Sequence, residues 1–297
     1  MIVVDWGTSS FRAYRLADDG RILDRRSAPR GILTIEAGGF PTALDAEIGG
    51  WLGDEPGDVV LGGMIGSRQG WLEAPYVECP ADLDSITASA ASVAWGDRRV
   101  FIAPGVVARD ANGVPDVMRG EEVQILGMAE ALDGEGATVC LPGTHSKWVR
   151  VERGRITGFR TFMTGESYAL YRRHSILGRL MPAEDGPHDE PAFLEGVRRC
   201  GEAGGLLHHL FGVRSRGLFG DLKPEALSSY LSGLLIGHEI REAIAAAGAG
   251  VIHLIAEAAL AERYRSALAA FGRESRLHPS EVSARGLFCI GRRIGRG

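Results

Sequence analysis

The sequence predicts an α/β protein made of two similar units. Short β-rich runs alternate with stretches of helical period, glycine is in excess, and the pattern of the first residues recurs past the middle of the chain. Alternating strands and helices are the mark of layered α/β folds and disfavour a helical bundle or an all-β sandwich. Glycine numbers 42 in 297 residues, roughly twice ordinary usage. With only 13 prolines, 45% hydrophobic residues and no G-X-Y period, the excess reflects backbone geometry in a globular chain, not collagen, linker or disorder.

The elements follow in order. The apolar run Ile2 to Val4 forms a first buried strand, and Val59 to Leu61 and Val100 to Ala103 form two more. A helix over Glu121 to Leu132 begins after Gly120 with two acids in its first turn. The small, acidic stretch Asp133 to Gly136 reads as a domain junction. Beyond it, Thr138 to Leu141, Lys147 to Val151 and Ile156 to Met163 are strands, and Glu166 to Leu180 and Ala192 to Cys200 are helices around a polar surface insertion, Pro182 to Pro191. The long helix Pro224 to Ala247 is strongly apolar, but His238, Glu239, Arg241 and Glu242 interrupt it, so it is a buried helix and not a membrane span. A strand at Val251 to Ala256 and helices at Ala259 to Phe271 and Ser280 to Ile290 complete the chain.

The recurrence is the most informative feature. The first strand leads into Gly7-Thr8-Ser9-Ser10-Phe11-Arg12, a second strand, the turn Asp18-Asp19-Gly20 and Arg21-Ile22. After the junction, Thr138 to Leu141 leads into Gly143-Thr144-His145-Ser146-Lys147-Trp148, another strand, the turn Glu152-Arg153-Gly154 and Arg155-Ile156. The two loop glycines and the two turn glycines are offset by distances that agree to within two residues, which points to duplication.

A Gly-Thr-Ser loop directly after a buried strand offers backbone N–H groups and hydroxyls to phosphate oxygens, and two such loops can grip a polyphosphate. Asp5, immediately before the first loop, would repel phosphate unless Mg²⁺ lay between them, so it reads as a metal-shell residue. Neither a G-x-x-x-x-G-K-[ST] loop nor a strand-linked G-x-G-x-x-G occurs, which removes P-loop and Rossmann readings. A net charge of −5 supplies no basic field for nucleic acid or an anionic membrane. The four widely spaced cysteines read as reduced thiols, and with no secretory leader at the start the expected location is cytoplasmic. His208-His209 reads as a satisfied helical pair and not a metal site, and Arg292, Arg293 and Arg296 as a solvated tail.

Asp5-Trp6-Gly7-Thr8-Ser9-Ser10-Phe11-Arg12 resembles the first phosphate motif of the actin, heat-shock chaperone and sugar kinase superfamily, and Gly143-Thr144 resembles the second. At finer grain, Gly62-Gly63-Met64-Ile65-Gly66-Ser67-Arg68-Gln69-Gly70-Trp71, Asp116-Val117-Met118-Arg119-Gly120-Glu121-Glu122, Leu141 to Trp148 and Phe159 to Glu166 resemble the 2-dehydro-3-deoxygalactonokinase family. This resemblance spans nearly the whole chain. It implies two actin-like (ribonuclease H-like) domains with a nucleotide cleft between them, ATP and Mg²⁺ as cofactors, and phosphorylation of the 6-hydroxyl of 2-dehydro-3-deoxy-D-galactonate. The implied organisation is an N-terminal domain over 1–133, a C-terminal domain over 134–280 and a last helix over 281–297 returning to the hinge.

The resemblance also implies roles. Gly7, Thr8, Ser9, Ser10, Gly143, Thr144 and His145 would hold the phosphates, with Asp5 on the metal. Ala256 and Glu257 stand where the superfamily's adenosine motif usually carries glycine. Arg12 and Lys147 are candidate cations for the transferring group, each on a hairpin strand that could instead point it into solvent. A carboxylate base is expected at the start of the helix after Gly120: Glu121 first, Asp116 second, Glu122 third. Acids in a first helical turn also complement the helix dipole without any catalytic task. Arg68, with Ser67 and Trp71, would hold the substrate carboxylate, and Thr164, Gly165 and Glu166, at the end of the third strand of the second unit, would face the sugar acid. The partners are then a small sugar acid and ATP, and the oligomeric state, a homodimer among the options, stays open. Two alternatives stay open in the sequence: a kinase for another sugar acid such as 2-keto-3-deoxygluconate, and a non-catalytic actin-like nucleotide-binding protein.

Overall fold

The computed structural model describes residues 1–52, 58–132, 136–184 and 186–295. Most of the expected junction, Asp133 to Glu135, lies outside the described residues, as do Asp185 of the polar insertion and Arg296 of the tail. The chain divides into two compact units, one of Met1–Gly136, Val151–Phe159 and Pro279–Gly297, the other of Ala137–Arg150 and Arg160–His278.

The first unit opens with β1 (Ile2–Trp6), β2 (Phe11–Leu16) and β3 (Ile22–Ala28), then β4 (Val59–Gly62) after helix α1 (Phe40–Ile48). It continues through β5 (Tyr76–Glu78), α2 (Leu83–Ala88), β6 (Ala91–Trp95), β7 (Arg98–Ile102), β8 (Gly105–Arg109), β9 (Pro115–Met118) and α3 (Glu121–Gly127). Its main sheet has the order β3-β2-β1-β4-β7-β6, with β5, β8 and β9 in a separate three-stranded sheet. β1 runs antiparallel to β2, which sets Asp5 opposite Arg12, and parallel to β4, which is parallel to β7. Strands β1 and β4 are apolar almost throughout because they are central and covered on both faces. The edge strand β3 is exposed along nearly its whole length and carries Arg25 and Arg26, a charged edge that discourages pairing with other chains. Trp6 anchors the core, packed edge-on to Phe11 at 4.9 Å and to Phe40 at 5.7 Å.

The second unit contains β10 (Ala137–Leu141), β11 (Ser146–Glu152), β12 (Arg155–Phe162), α4 (Thr164–His174), α5 (Glu190–Arg199), α6 (Gly205–Phe219), α7 (Pro224–Ile244), β13 (Ile252–Ile255), α8 (Ala258–Ala270) and β14 (Ser275–His278). The tip of the β11–β12 hairpin is counted with the first unit, where Ile156 bridges Ala81. The sheet order is β12-β11-β10-β13-β14, with β13 parallel to both β10 and β14. In each main sheet, therefore, the first strand lies between its hairpin partner and a parallel strand, and the loops at 7–10 and 142–145 have the same length. The duplication expected from the sequence is present in the topology.

Helix α7 is buried almost without interruption from Ala226 to Ile240, as its composition requires. The final helix α9 (Val282–Ile294) belongs to the first unit and crosses α3 so closely that a Cβ at Gly286 would lie 1.8 Å from the Val123 carbonyl oxygen.

Two expected helices are shorter in the structure. The helix after Gly120 ends at Gly127, with turns following it. The expected helix Glu166 to Leu180 breaks at Ser175, whose extended backbone (ψ 171°) stops α4 and whose hydroxyl accepts from the Leu177 N–H to start a short 3-10 turn. Of the pair at 208 and 209, His208 is exposed, while buried His209 has one ring nitrogen 3.1 Å from the Ala203 carbonyl and the other 3.1 Å from His238 Nε2. All four cysteines are free thiols.

Candidate active site

The β1–β2 loop of the first unit carries Gly7, Thr8, Ser9 and Ser10. The Gly7 N–H donates to the Ser10 carbonyl at 2.8 Å and closes the turn, while the Gly7 and Thr8 carbonyls accept from Ile32 and Leu33 at 3.0 and 3.3 Å. Carbonyl oxygens that would repel a phosphate are thus tied back into the fold, and the side chains of Thr8 and Ser9 stay exposed. Asp5, on β1, has a side chain only 13% exposed; Arg12 Nη1 lies 3.7 Å from its Oδ2. Burial holds the Asp5 carboxyl above its ordinary pKa, and Arg12 and a hydrogen bond from Ser283 of α9 offset this only in part.

Next to Asp5 stands the loop after β4. Gly63 has φ +90°, and a Cβ there would lie 2.8 Å from the Trp6 carbonyl oxygen and 3.3 Å from Asp5 Oδ1. Gly120, at φ +110°, comes so close to this loop that its own Cβ would lie 3.2 Å from Gly63 Cα. Only glycine fits both positions, and their contact joins Asp5, the Gly62 to Trp71 segment and the start of α3 into one locality. Within that segment Trp71 is half-buried and packs against the core of the main sheet. The side chain of Arg68 is 87% exposed, with Nε 3.0 Å from Glu73 Oε1.

The Ser67 hydroxyl is buried and has no hydrogen-bond partner, and the same is true of Nε and Nη1 of Arg119. Arg119 donates through Nη2 to the Ala74 carbonyl at 2.8 Å and stacks over Tyr76, its Cζ 4.3 Å from the ring centroid. At the start of α3, Glu121 Oε2 accepts from the Arg119 N–H at 3.1 Å and Glu122 Oε2 from the Gly120 N–H at 2.7 Å. Glu121 is half-buried, as is Asp116 on β9. Glu122 is fully buried with Oε1 unpartnered, and its burial, reinforced by the neighbouring Glu121, pushes its pKa up to about 8. A carboxyl so placed is neutral near pH 7.

In the second unit, the β10–β11 loop presents Gly143 with open space around it and Thr144 and His145 exposed. Again the loop carbonyl is tied back, the Thr144 oxygen accepting from the Glu166 N–H at 3.0 Å. Thr164, Gly165 and Glu166, expected at a strand end, instead form the first turn of α4, because the chain turns into helix directly after Phe162 and Met163. That turn lies against the loop: a Cβ on Gly165 would sit 2.4 Å from the Gly143 carbonyl oxygen. His145 Nε2 and Glu166 Oε2 are 2.5 Å apart.

Lys147 is buried in β11, not turned to solvent, and its Nζ donates to Thr161 Oγ1 at 2.7 Å. Ser146 and Trp148 on either side of it reach Glu239 of α7, donating to Oε1 at 2.6 and 2.7 Å; Tyr264 donates to Oε2 at 2.7 Å, and Thr164 adds a further hydrogen bond. Ala256 is half-buried in the turn from β13 to α8, where Glu257 is exposed at the helix N-cap.

Among the described residues no group of three His, Cys, Asp or Glu side chains could hold a metal ion alone. One carboxylate, Asp5, fits Mg²⁺, which is commonly bound by one or two carboxylates together with substrate phosphates.

Two residues of this region were not singled out by sequence reasoning. Arg119 carries no local signal, being a single arginine between the candidate acids Asp116 and Glu121. Glu239 did leave a signal, an acid in the middle of a helix otherwise apolar enough to be buried.

Two main sheets, each with its first strand between a hairpin partner and a parallel strand and with a Gly-Thr loop after that strand, give the chain a two-unit actin-like architecture. Comparison with known proteins supports the fold and narrows the class. The activator of the 2-hydroxyisocaproyl-CoA dehydratase from Clostridium difficile shares the fold at a TM-score of 0.53 and 13% identity, covering 100% of this chain and 97% of that one. The family model for 2-keto-3-deoxy-galactonokinase matches residues 5–290. A Rhizobium meliloti protein described as a probable 2-dehydro-3-deoxygalactonokinase is 40% identical over 296 residues, 98% of this chain and 96% of the relative. The 2-dehydro-3-deoxygalactonokinase of Escherichia coli K12 is 39% identical over 275 residues, covering 91% and 90%. A crystal structure from Sinorhizobium meliloti, described by the same kinase name, superposes with a TM-score of 0.91 at 39% identity over 98% of each chain. The chain belongs to the 2-keto-3-deoxy-galactonokinase family.

Proposed function

We propose that this chain transfers the γ-phosphoryl group of ATP to the 6-hydroxyl of 2-dehydro-3-deoxy-D-galactonate, yielding ADP and the 6-phosphate. The observation that carries the phosphotransferase reading is the pair of Gly-Thr loops in which the Gly7, Thr8 and Thr144 carbonyls are hydrogen-bonded back into the fold. Phosphoryl transfer asks of a protein mainly positioning and charge stabilisation. Gly7, Thr8, Ser9 and Ser10 cradle phosphate oxygens from one loop, and Gly143, Thr144 and His145 from the other. Ala256 and Glu257 border the adenosine. Asp5 would hold Mg²⁺, whose chemistry there would be to neutralise charge on the phosphate oxygens. Arg12 and Lys147 supply fixed positive charge to the transferring group.

Glu121 accepts the proton of the attacking hydroxyl. It is half-buried in the first turn of α3, whereas the neighbouring Glu122 is sealed in and holds its proton. Asp116 is the second choice for the base. Arg68 meets the substrate carboxylate, aided by Ser67 and Trp71, and Thr164, Gly165 and Glu166 face the sugar hydroxyls. The unpartnered buried groups of Ser67 and Arg119 support a polar ligand at this segment, because buried polar atoms ordinarily have partners. Small molecules are the partners, and the cytoplasm is the place of action; no described helix is long and apolar enough to cross a membrane.

A coupled ADP-release assay across a panel of 2-keto-3-deoxy acids tests the reading. The galactonate epimer is expected to give the highest kcat/KM. Preference for the gluconate epimer overturns the substrate, and no ADP release with any member overturns the kinase in favour of a nucleotide-binding protein. Arg68→Ala should raise KM for the sugar acid and leave KM for ATP unchanged.

A further inference from the structure

Arg119 is a buried cation without a buried anion to match it. The residue is 8% exposed and forms no ion pair among the described residues. Its Nη2 reaches the Ala74 carbonyl and its Cζ lies 4.3 Å from the Tyr76 ring centroid, but Nε and Nη1 have no acceptor. It lowers the pKa of Glu122, yet burial still keeps that acid protonated near pH 7, so Glu122 supplies no counter-charge. Burying an unmatched charge costs stability, and one hydrogen bond with one stacked ring offsets only part of that cost. Packing alone does not account for an arginine here.

The charge sits directly against the Gly62 to Trp71 segment. A Cβ added to Gly66 would lie 3.0 Å from Arg119 Nη1, and the Gly66 carbonyl accepts from the Ala74 N–H at 2.9 Å, so the segment and the anchor of the guanidinium form one piece. The next residue, Ser67, carries the other buried hydrogen-bonding group of this segment that lacks a partner. Arg68, the segment's own cation, is 87% exposed and already paired with Glu73, so water and its partner screen it. The remaining charge nearby is negative: Asp5 lies beside Gly63, and Glu121 follows Gly120, which packs on Gly63. These acids repel an anionic acceptor, and Arg119 is the buried charge of opposite sign.

We infer that Arg119 is a specificity-determining residue whose buried positive charge, acting from beneath Gly66 and Ser67 without touching the substrate, makes the site prefer a carboxylate-bearing sugar to an uncharged one. A charge held out of water acts over several ångströms, because little solvent lies between it and its target to screen it. Arg68 then meets the carboxylate from the solvent side, and Arg119 supplies the field below. The inference deepens the proposed function and rests on its placing of the sugar acid at this segment.

Titration calorimetry of the full chain with 2-dehydro-3-deoxy-D-galactonate and with its C1 carboxamide, which keeps the hydroxyls and loses the charge, tests this without needing turnover. Arg119→Met removes the charge and keeps an unbranched side chain. It should raise Kd for the acid at least about tenfold, leave Kd for the amide within about twofold and leave ATP binding unchanged. Its urea midpoint should equal or exceed that of the wild type, as when a buried charge is replaced by an apolar group. Arg119→Gln, also uncharged, should give the same split between acid and amide. Equal weakening of acid and amide overturns the inference, as does unchanged binding of the acid or an amide that binds the wild type as tightly as the acid does. A wild type that binds the acid but releases no ADP overturns the kinase reading alone, and the acid–amide comparison still decides the role of Arg119.

Discussion

The Ser146 hydroxyl donates to Glu239 Oε1 across 2.6 Å, tying the residue that follows the Gly143-Thr144-His145 loop to the middle of helix α7. Trp148, Tyr264 and Thr164 converge on the same carboxylate, so one buried acid holds the start of β11, the first turn of α4 and a helix of the core. Burial pushes the Glu239 carboxyl up while these four donors pull it down. Glu239→Ala leaves them without an acceptor and should cost about 3–5 kcal/mol, measured by urea unfolding. Ser146→Ala removes one donor and should cost about 1–2 kcal/mol. If the network positions the phosphate loop, the folded Ser146→Ala enzyme will also show a several-fold higher KM for ATP at unchanged KM for the sugar acid. An unchanged KM for ATP would confine the network to stability.

Gly165 offers a steric test of the second loop. Its added Cβ would lie 2.4 Å from the Gly143 carbonyl oxygen and 2.8 Å from Thr144 Cα, both backbone atoms that can escape only if the loop moves. Gly165→Ala should therefore weaken ATP binding by about tenfold or more, in line with the sensitivity of phosphoryl transfer to small displacements. Titration calorimetry with ATP and Mg²⁺ measures it; wild-type affinity would remove this loop from the nucleotide site.

The choice of base is open to a direct comparison. A general base contributes about 10²–10⁴-fold, so Glu121→Gln should lower kcat at least about a hundredfold with ATP affinity nearly intact. Asp116→Asn should have a much smaller effect. The reverse ranking would transfer the role to Asp116.

Glu122 makes stability depend on pH with a defined sign. The folded protein keeps this carboxyl protonated up to about pH 8, whereas the unfolded chain releases the proton above its ordinary value of 4.5. Folding stability should therefore decline as pH rises from about 4.5 towards 8 and level off beyond, by about 3 kcal/mol at pH 7 for this group alone. Glu122→Gln, which mimics the protonated acid, should flatten that decline. Urea midpoints at intervals between pH 5 and 8.5 report it, and parallel curves for the two proteins would show that Glu122 ionises in the folded state.

Much of the fold is legible in the sequence because it rests on short-range rules. The central strands are apolar runs, α7 is apolar enough to demand burial, and the Gly-Thr loops repeat at matching offsets. What escaped depends on partners distant in the chain. Strands β5, β8 and β9 are short and pair only with one another, so no local period exposes them. Helix α6 hides because residues of both its faces are apolar, which blurs the usual amphipathic stripe. Ser175 ends α4 through its backbone conformation, in a stretch whose composition would sustain a longer helix.

The candidate site divides in the same way. From the residues alone, the two Gly-Thr loops and the carboxylate Asp5 before the first of them pointed to phosphate handling, whereas a role for the Gly120-Glu121-Glu122 turn came only with the family resemblance. Only the tertiary structure decided which of two adjacent acids is sealed from water, since Glu121 and Glu122 differ in burial and not in chemistry. It likewise decided that Arg119 is buried while Arg68 is exposed, and that Glu239 gathers four donors from three other elements. Burial and convergence are set by what packs around a side chain, and that is fixed only when segments far apart in sequence are brought together.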